Sequence, residues 1–555
     1  MIGVHMINSV AGWMTTRFGS TGLIITLFVV IIISCPAGSV RAKEFVVDQK
    51  NSSASDTNDG CSKNPWKTIS HAAKVAVAGD SVSVRDGIYR EGIEVANSGG
   101  ATRMITFKAA GKNVIVKGSD VVTGWKLLKG NIWKKENWNV NSQQVFVDST
   151  ILSQIGGNPF YSPDRLPAVG NGIGTMKPGT FYCDPKQQSL YIWLKDGGNP
   201  NHHQIEASTK PWLFLVRGKN YIKLSGFTFQ HSNTTAVIKT GWPAVAMSGD
   251  NCIAENNQIS WCDFTGLGGT GNNLVIKNNS ANYNGNSGMG FSGRGNLLDG
   301  NSTNFNNYRE FNMDWHAGGM KNTQLTNSKI IRHTSRKNNG HGIWLDIDCV
   351  DNVIEASQSI ENKGNGIFYE ISENGLIKNN ISTKNGVNGI YISSSKNCRV
   401  LNNLVYGNSY GIVLHGPRDN HGLINNIVEN NIITDNVNAE IVIPPPNNNI
   451  DISKSVKDNQ SDFNLIYNSK GKVRMKIGSG AKSTISFPDW KKLTGNDSHS
   501  IETDPRFENS SEWKLRPSKN SPVRGVGKVH PEVHNDIESK SRPSDRNDIG
   551  PFTGQ

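Results

Sequence analysis

Short apolar bursts recur along most of the chain, and polar stretches rich in Asn, Ser and Gly separate them. Within a burst, apolar and polar positions alternate over three to five residues, which matches the two-residue period of a β-strand. The longer amphipathic stretches that helical repeats need are missing from this pattern. It therefore predicts many short strands joined by polar turns.

The bursts repeat with a period of 22 to 24 residues. Successive glycine-led pairs, spaced by 24, 23 and 22 residues, are Gly342-Ile343, Gly366-Ile367, Gly389-Ile390 and Gly411-Ile412. A second apolar column, which steps by 23 residues each time, consists of Ile331, Ile354, Ile377 and Val400. Less regular members upstream are Ala244-Val245, Gly266-Leu267 and Gly288-Met289. Two columns in step indicate that the chain stacks copies of one structural unit.

A period of this length with several alternating patches is typical of one coil of a β-solenoid. A single coil cannot bury its own apolar side chains, so coils stack, with parallel strands about 4.8 Å apart and like residues above like. Asn then falls at turns, where it tolerates left-handed backbone and forms hydrogen-bond ladders between coils. The regular leucine framework of a leucine-rich repeat is missing. We therefore predict an all-β protein, a right-handed parallel β-helix.

The places where the repeat breaks divide the chain into five predicted segments. They are a signal peptide (1–42), an N-terminal cap with the first coils (43–123), an inserted β-sandwich-like domain (124–207), the main β-helix (208–443) and a C-terminal capping tail (444–555). Within the second segment, Ser70–Val77 is predicted to be helical. In the insertion, Trp133, Phe146-Val147-Asp148 and Tyr191-Ile192-Trp193 indicate antiparallel strands. The run Pro444-Pro445-Pro446 is expected to end the coils, because proline lacks the N–H of a strand residue.

The N-terminus has the pattern of an export signal. An apolar stretch of about 11 residues from Leu23 to Ile33 follows Arg17 and is too short to span ~30 Å of hydrocarbon. Val40-Arg41-Ala42 suits signal peptidase, so we expect cleavage near Ala42 and a secreted, periplasmic or cell-surface protein. Two alternatives stay open, an uncleaved anchor and a lipid anchor at Cys35, where Ile32-Ile33-Ser34-Cys35 resembles a bacterial lipobox.

Net charge and cysteine count add little to the prediction of binding partners and disulfides. The formal charge is +12 and the pI about 9.2, but Lys and Arg form no run of five or more, so we do not expect nucleic acid binding. Cleavage after Ala42 leaves six cysteines, an even number that permits disulfides in an oxidising compartment. Their spacing has no metal-binding motif and predicts no particular pairs.

Counting from each repeat glycine separates the core face from the outward face. Offsets +1 and +3 are apolar and face the core, so offsets +2 and +4 face outward, toward solvent. The outward residues at +2 are Trp344, Phe368, Tyr391 and Val413. Those at +4 are Asp346, Glu370, Ser393 and His415. An aromatic row is thus predicted beside a column with two carboxylates on adjacent coils.

This carboxylate pair is the strongest chemical signal in the sequence. Stacked strands place the two backbones ~4.8 Å apart, close to the ~5–5.5 Å between the carboxyl groups of retaining glycosidases. Two like charges at that distance cannot both ionise cheaply, which raises one pKa. We assign Asp346 as nucleophile and Glu370 as acid/base. The aromatic row Trp344, Phe368 and Tyr391 is expected to stack on sugar rings. A solvated surface pair is the plain alternative.

A polar cluster precedes the column. Lys321 occupies offset +2 one coil before Trp344 and is expected either to bind a substrate hydroxyl or carboxylate or to be a plain surface lysine. Asp314, Trp315 and His316 are expected to contribute to the substrate pocket. We expect surface or turn positions for three other histidines, His333, His341 and His415.

Several segments together resemble those of bacterial β-xylosidases built on a right-handed β-helix with an inserted β-sandwich. They are Pro65–Glu91, Ile105–Ala110, Ile115–Ser119, Gly342-Ile343-Trp344-Leu345-Asp346 and Gly366-Ile367-Phe368-Tyr369-Glu370. The resemblance covers most of residues 43–440, and it implies that Asp346 is a nucleophile and Glu370 an acid/base. The basic balance and the long C-terminal tail depart from that family.

Two other functions stay open. A polysaccharide lyase or epimerase acting on a uronate polymer would use Lys321 as base and a Ca²⁺ ion held by Asp346, Asp348 and Asp351. The hydrolase needs no cofactor. A carbohydrate-binding, adhesive or polysaccharide-export protein would use the aromatic row without catalysis. In each case the expected partner is an oligosaccharide or polysaccharide.

Overall fold

The structure is a computed structural model, and it describes residues 41–157, 168–233, 243–418, 421–443, 456–471, 473–478, 484–509 and 514–554. The predicted signal peptide and lipobox lie outside the described residues, apart from Arg41 and Ala42, and so does Pro444-Pro445-Pro446. In the part of the chain that the structure describes, no helix is long and apolar enough to cross a membrane.

Three long sheets run through the described chain, and most coils add one short strand to each sheet. Neighbouring strands are parallel, except that Thr484–Ser486 is antiparallel to Arg474–Ile477. The first sheet contains Glu44–Val47, Ser81–Val84, Ile105–Ala109, Ile222–Ser225, Ile253–Glu255, Val275–Lys277, Leu297–Asp299, Lys329–Ile331, Val353–Glu355, Leu376–Lys378, Arg399–Leu401, Ile427–Glu429 and Gln460–Asp462. The second contains Gly87–Tyr89, Val114–Lys117, Thr228–Gln230, Gln258–Ser260, Ser280–Asn282, Ser302–Asn304, Thr334–Arg336, Gln358–Ile360, Ile381–Thr383, Leu404–Tyr406, Ile432–Thr434, Leu465–Tyr467 and Ile501–Glu502.

The third sheet is called the cleft sheet below. It contains Ile93–Glu94, Phe214–Arg217, Val245–Ser248, Leu267–Thr270, Ser287–Arg294, Gly318–Thr323, Leu325–Thr326, His341–Asp346, Ile367–Glu370, Asn388–Ser393, Tyr410–His415, Ala439–Ile443, Arg474–Ile477 and Thr484–Ser486. The three sheets enclose one apolar core, to which every coil contributes. The predicted all-β class and parallel β-helix are confirmed.

Two smaller sheets lie between the first and later coils in sequence. One contains Ser119–Val121, Val145–Val147, Thr150–Ile151 and Ile205–Ser208, and the other Lys126–Lys129, Ile132–Glu136, Ser153–Gln154, Thr180–Asp184 and Ser189–Trp193. Two 3₁₀ turns, Ile173–Thr175 and Pro200–His202, connect these strands. Their pairing is antiparallel except between Ser153–Gln154 and Thr180–Asp184. Trp125, Phe181 and Ile192 belong to a separate apolar core there.

The coils continue beyond Ile443, so the expected stop at the proline run is wrong. Gln460–Asp462, Leu465–Tyr467 and Arg474–Ile477 pair in parallel with the strands of the preceding coil. Proline removes the N–H of one strand position, and such a local loss does not prevent the chain from returning to the stack of coils further on. A helix at Phe487–Thr494 then packs Phe487 and Trp490 into the core. Later strands are Phe507–Asn509 and Lys514–Pro517, and Leu423–Ile424 pairs with Val456–Lys457.

The predicted Asn ladders are present at the turns. Asn362, Asn385, Asn408 and Asn436 follow one another on successive coils, and each amide of the first three donates to the next Oδ1 at 3.0, 3.0 and 3.1 Å. These side chains are buried, so each hydrogen bond avoids the cost of an unpaired polar group.

At the N-terminal end, the helix Ile69–Val75 matches the predicted one to within two residues. The six described cysteines are free thiols.

Candidate active site

The cleft sheet presents its two faces to different surroundings. Ile343, Leu345, Ile367 and Tyr369 point into the apolar core and are fully buried. The register pairs Ile343 with Ile367, Trp344 with Phe368 and Leu345 with Tyr369. Each strand ends at its next residue, Asp346 or Glu370. The alternation therefore turns both acids away from the core, on adjacent coils.

A cleft of about 810 Å³ lies over this outward face. Its walls include every residue that the sequence predicted for catalysis or substrate binding, namely Asp314, Trp315, His316, Lys321, Trp344, Asp346, Phe368, Glu370 and Tyr391. The expectation that the two acids face bulk water is wrong, because Asp346 is 4% exposed and Glu370 2%. Lys321 and Arg418 contact them instead.

Asp346 is held by one cation. Lys321 Nζ lies 2.8 Å from Asp346 Oδ2, and both side chains are nearly buried. The same ammonium donates to the carbonyl oxygen of Trp315 at 2.6 Å and lies 3.7 Å from the centre of the Trp344 ring. Asp346 Oδ1 is buried and has no hydrogen-bond partner among the described residues. The ion pair thus engages Oδ2 and leaves Oδ1 without a partner among the described residues.

Glu370 has a different environment. Trp344 Nε1 donates to its Oε2 at 3.1 Å, and the Arg418 guanidinium lies 2.6 Å from its Oε1. Burial and the negative charge of Asp346 raise the pKa of Glu370 to about 7, although Arg418, Lys321 and the Trp344 hydrogen bond oppose them. The two neighbouring carboxyl groups therefore have unequal environments: Asp346 is paired with Lys321, whereas Glu370 keeps its proton to a higher pH than an ordinary glutamate.

The aromatic row is present, but its ring faces are covered. Trp344 and Phe368 stack at 5.0 Å between ring centres, and Phe368 and Tyr391 at 4.7 Å. The Lys321 ammonium covers the other face of Trp344. The expectation that Trp344 and Phe368 offer their faces to sugar rings is therefore wrong, because like residues on stacked coils lie face to face.

Trp315 is the exposed aromatic residue beside the acids. It is 42% exposed and lies in the loop before Gly318–Thr323, with its neighbours Asp314 and His316. His316 Nδ1 lies 2.6 Å from Asn286 Oδ1, and its ring stacks on Phe264. Burial lowers the pKa of His316 to about 3, so its ring is neutral. An exposed indole beside two carboxyl groups is a better surface for a sugar than the stacked row.

Two histidines do not lie where the sequence suggested. His333 and His341 were expected at the surface or in turns, but both are buried. His341 meets Trp344 and Phe368 edge to face, and its Nδ1 accepts from the Asn365 N–H at 2.9 Å. Burial lowers its pKa to about 3. His341 is therefore a neutral support for the aromatic row, whereas His415 is exposed in the cleft wall.

The three aspartates considered for calcium are not gathered at one point. Asp348 and Asp351 are exposed turn residues with positive φ, whereas Asp346 is buried in the cleft. Asp351 accepts a hydrogen bond from Asn374 at 2.8 Å. Within the described ranges, no group of three His, Cys, Asp or Glu side chains is placed to hold a metal ion. The physical reason is that the strand ends at Asp346, and the turn carries the next aspartates away.

Arg418 is the site residue that the sequence did not reveal. It follows the strand Tyr410–His415 by three residues, yet its side chain reaches Glu370, which lies two coils earlier. The column rule, by which offsets +2 and +4 from each repeat glycine face outward, applies only to residues within a strand. Arg418 lies just after a strand. The one signal in the sequence that could have suggested Arg418 is its position three residues after His415, the last member of the outward column that contains Asp346 and Glu370.

Comparisons with known proteins agree with the architecture. A family model described as a right-handed β-helix region matches residues 213–405 and 322–466. The uncharacterized protein YwoF of Bacillus subtilis (strain 168) is 38% identical over 68 residues. These residues are 12% of this chain and 14% of that protein, so the match spans a small part of its length.

Solved structures share the fold at low sequence identity. A complex of XylC with xylose is similar over 92% of this chain and 98% of that chain, with a TM-score of 0.65 and 16% identity. A crystal structure of the pectate lyase Pel9A is similar over 93% and 98%, with a TM-score of 0.42 and 13% identity. The likeness to XylC shows a common fold, the right-handed parallel β-helix.

Proposed function

We propose that the protein is an exported carbohydrate-active enzyme, and more narrowly a retaining glycoside hydrolase of oligosaccharides or polysaccharides. The observation that carries the proposal is the unequal treatment of two carboxyl groups on adjacent coils. Asp346 is paired with Lys321, whereas Glu370 is buried with a pKa raised to about 7. Glycosidases need such a pair, one ionised and one protonated. The fold shared with XylC, which was solved with xylose, supports a sugar substrate.

In the first step Asp346 is the nucleophile and Glu370 the acid. A bond forms between Asp346 Oδ1 and the anomeric carbon while the bond from that carbon to the glycosidic oxygen breaks. Glu370 gives its proton to the departing oxygen. Lys321 is paired with Oδ2, so Oδ1, which has no hydrogen-bond partner among the described residues, is the oxygen assigned to the attack.

In the second step the roles reverse. The ionised Glu370 takes a proton from water, and the water oxygen bonds to the anomeric carbon as the bond to Asp346 Oδ1 breaks. Arg418 stabilises the Glu370 carboxylate at this stage. Two displacements at one carbon retain its configuration. Acids on adjacent coils, whose backbones are ~4.8 Å apart, suit this mechanism better than the wider spacing of inverting enzymes.

The contacts of Lys321 argue against the lyase or epimerase mechanism. A general base must present a neutral amine, whereas this nitrogen faces a carboxylate, a carbonyl oxygen and an aromatic face. All three contacts occupy the Lys321 nitrogen, so it is not placed to take a proton from a substrate. The three-aspartate calcium site required by that mechanism is also not assembled.

Product analysis tests the proposal directly. The purified mature protein is incubated with neutral and acidic glycans, with and without calcium or a chelator, and products are identified by mass. We expect hydrolytic products that retain anomeric configuration and do not depend on calcium. An unsaturated product absorbing in the ultraviolet, or activity lost to the chelator, would contradict the hydrolase.

Substitutions of the acids test the assigned roles. Asp346→Gly and Glu370→Gln should each lower kcat by about 10²–10⁴-fold, the range of one positioned catalytic group. Azide should rescue Asp346→Gly and give a glycosyl azide, because the small anion fits the space of the removed carboxylate. The matched control is Asp348→Asn, an exposed acid two residues away. Full activity of either acid variant, or loss in the control, would refute the assignment.

A further inference from the structure

On the N-terminal side of Lys321 the outward face of the cleft sheet changes character. The column that contains Asp346 continues upstream through hydroxyl side chains, Thr323, Ser292, Thr270 and Ser248. Two of the adjacent pairs are in contact: Ser292 Oγ lies 3.4 Å from Thr323 Oγ1, and the Thr270 N–H donates to Ser248 Oγ at 3.3 Å. Four successive coils therefore each present one hydroxyl, ~4.8 Å apart.

The row beside these hydroxyls lacks rings. Where later coils have Trp344 and Phe368, the earlier ones have Gly268 and Gly290, which are paired in register. A groove of about 280 Å³ lies here, and it joins the cleft because both have His316, Lys321 and Thr323 in their walls. A Cβ on Gly290 would lie 2.7 Å from the carbonyl oxygen of Lys321, so this floor stays bare.

The groove has two chemically different walls. One is the hydroxyl column, and the other contains the rings of Phe264 and His316, which stack at 5.5 Å with 13° between their planes. Among the described residues that line it, Lys321 is the one with a formal charge, and that charge faces Asp346. The groove thus offers hydrogen bonds on one side and apolar ring surface on the other, without a cation for an acidic sugar.

We infer that this groove binds the sugar residues that neighbour the reacting one, in a neutral saccharide chain lying along the β-helix axis. The inference rests on the proposed function, because it takes the acids as the point of cleavage. The spacing of coils is close to the length that one pyranose residue adds to a chain, so each hydroxyl meets a new sugar. The substrate is accordingly a neutral oligosaccharide or polysaccharide of several residues.

Saccharide binding to full-length variants tests the inference. Calorimetry on Glu370→Gln, which retains the groove, measures affinity for xylohexaose, cellohexaose, mannohexaose and hexagalacturonate. A neutral hexasaccharide should bind most tightly. Adding Thr270→Val and Ser292→Ala should weaken that binding about tenfold, as expected for two lost hydrogen bonds of modest net strength. The matched control adds Ser280→Ala and Ser302→Ala, half-buried serines on the second sheet, and should change affinity less than about twofold.

The outcomes separate this inference from the proposed function. Equal affinities of the groove and control variants, tightest binding of hexagalacturonate, or no binding of any hexasaccharide would overturn the groove assignment. A second assay uses proteins in which Glu370 is intact and measures the cleavage of 4-nitrophenyl glycosides. It tests the two acids alone, because a single sugar does not reach the groove. Groove-dependent binding without any hydrolysis would leave the groove standing and remove the hydrolase. Hydrolysis without groove dependence would do the reverse.

Discussion

The two halves of the cleft sheet share one face and differ in the other. The inward residues Val245, Leu267 and Met289 on the N-terminal side match Ile343, Ile367 and Ile390 on the C-terminal side, and all six are fully buried. Outward positions in the first half include Gly268, Gly290, Thr270 and Ser292, whereas later coils have Trp344, Phe368, Asp346 and Glu370 at the corresponding positions. The difference shows that stacking constrains only the inward face. The outward face is free to differ from coil to coil and to carry distinct chemistry.

Substitutions of inward residues should have the largest effect, a loss of stability, and this loss should be similar in the two halves. Met289→Ala and Ile367→Ala each remove a fully buried side chain and should lower the free energy of unfolding by about 2–5 kcal/mol. Urea denaturation followed by circular dichroism measures the loss. The outward control Ser292→Ala should change stability by less than about 0.5 kcal/mol. A large loss in one half alone would break the equivalence of their inward faces.

Lys321 lies at the boundary between the two kinds of outward face. Replacing it should have the next largest effect, a fall in kcat. Lys321→Met keeps much of the side-chain length but deprives Asp346 of its ion pair. We expect kcat on an aryl glycoside to fall about a hundredfold, the effect of one preorganised charge. Affinity for that substrate should change little. An unchanged kcat would mean that the ion pair with Lys321 does not contribute to the reactivity of Asp346.

The smallest expected effect concerns the pH profile. Glu370 must be protonated to act as an acid, so kcat/KM should fall as pH rises through about 7. Arg418 lowers the pKa of Glu370, so Arg418→Ala should move this fall to higher pH, by about one unit for a half-exposed partner. Arg418→Lys keeps the charge and should leave the profile nearly in place. A shift to lower pH in Arg418→Ala would mean that another group controls the fall.

Much of this site followed from the repeat. The column rule predicted that Asp346 and Glu370 lie on adjacent coils beside Trp344 and Phe368, and the register agrees. The rule could not reveal that the rings stack on each other, or that Lys321 covers one of them. Those facts depend on side-chain conformation, which strand periodicity does not specify. Arg418 was missed for a related reason, since the path of a residue beyond a strand end has no period.

The sequence by itself determined the coil, because a core-facing apolar residue at every second position, repeated each 22 to 24 residues, leaves stacking as the way to bury it. It also determined the Asn ladders and the shared face of the two acids. Tertiary structure alone decided the burial of those acids, their separate cations and the unequal environment that raises the pKa of Glu370. The reason is physical: periodicity orders neighbours along and between strands, whereas burial and charge also depend on side-chain conformation and on residues outside the strands, such as Arg418.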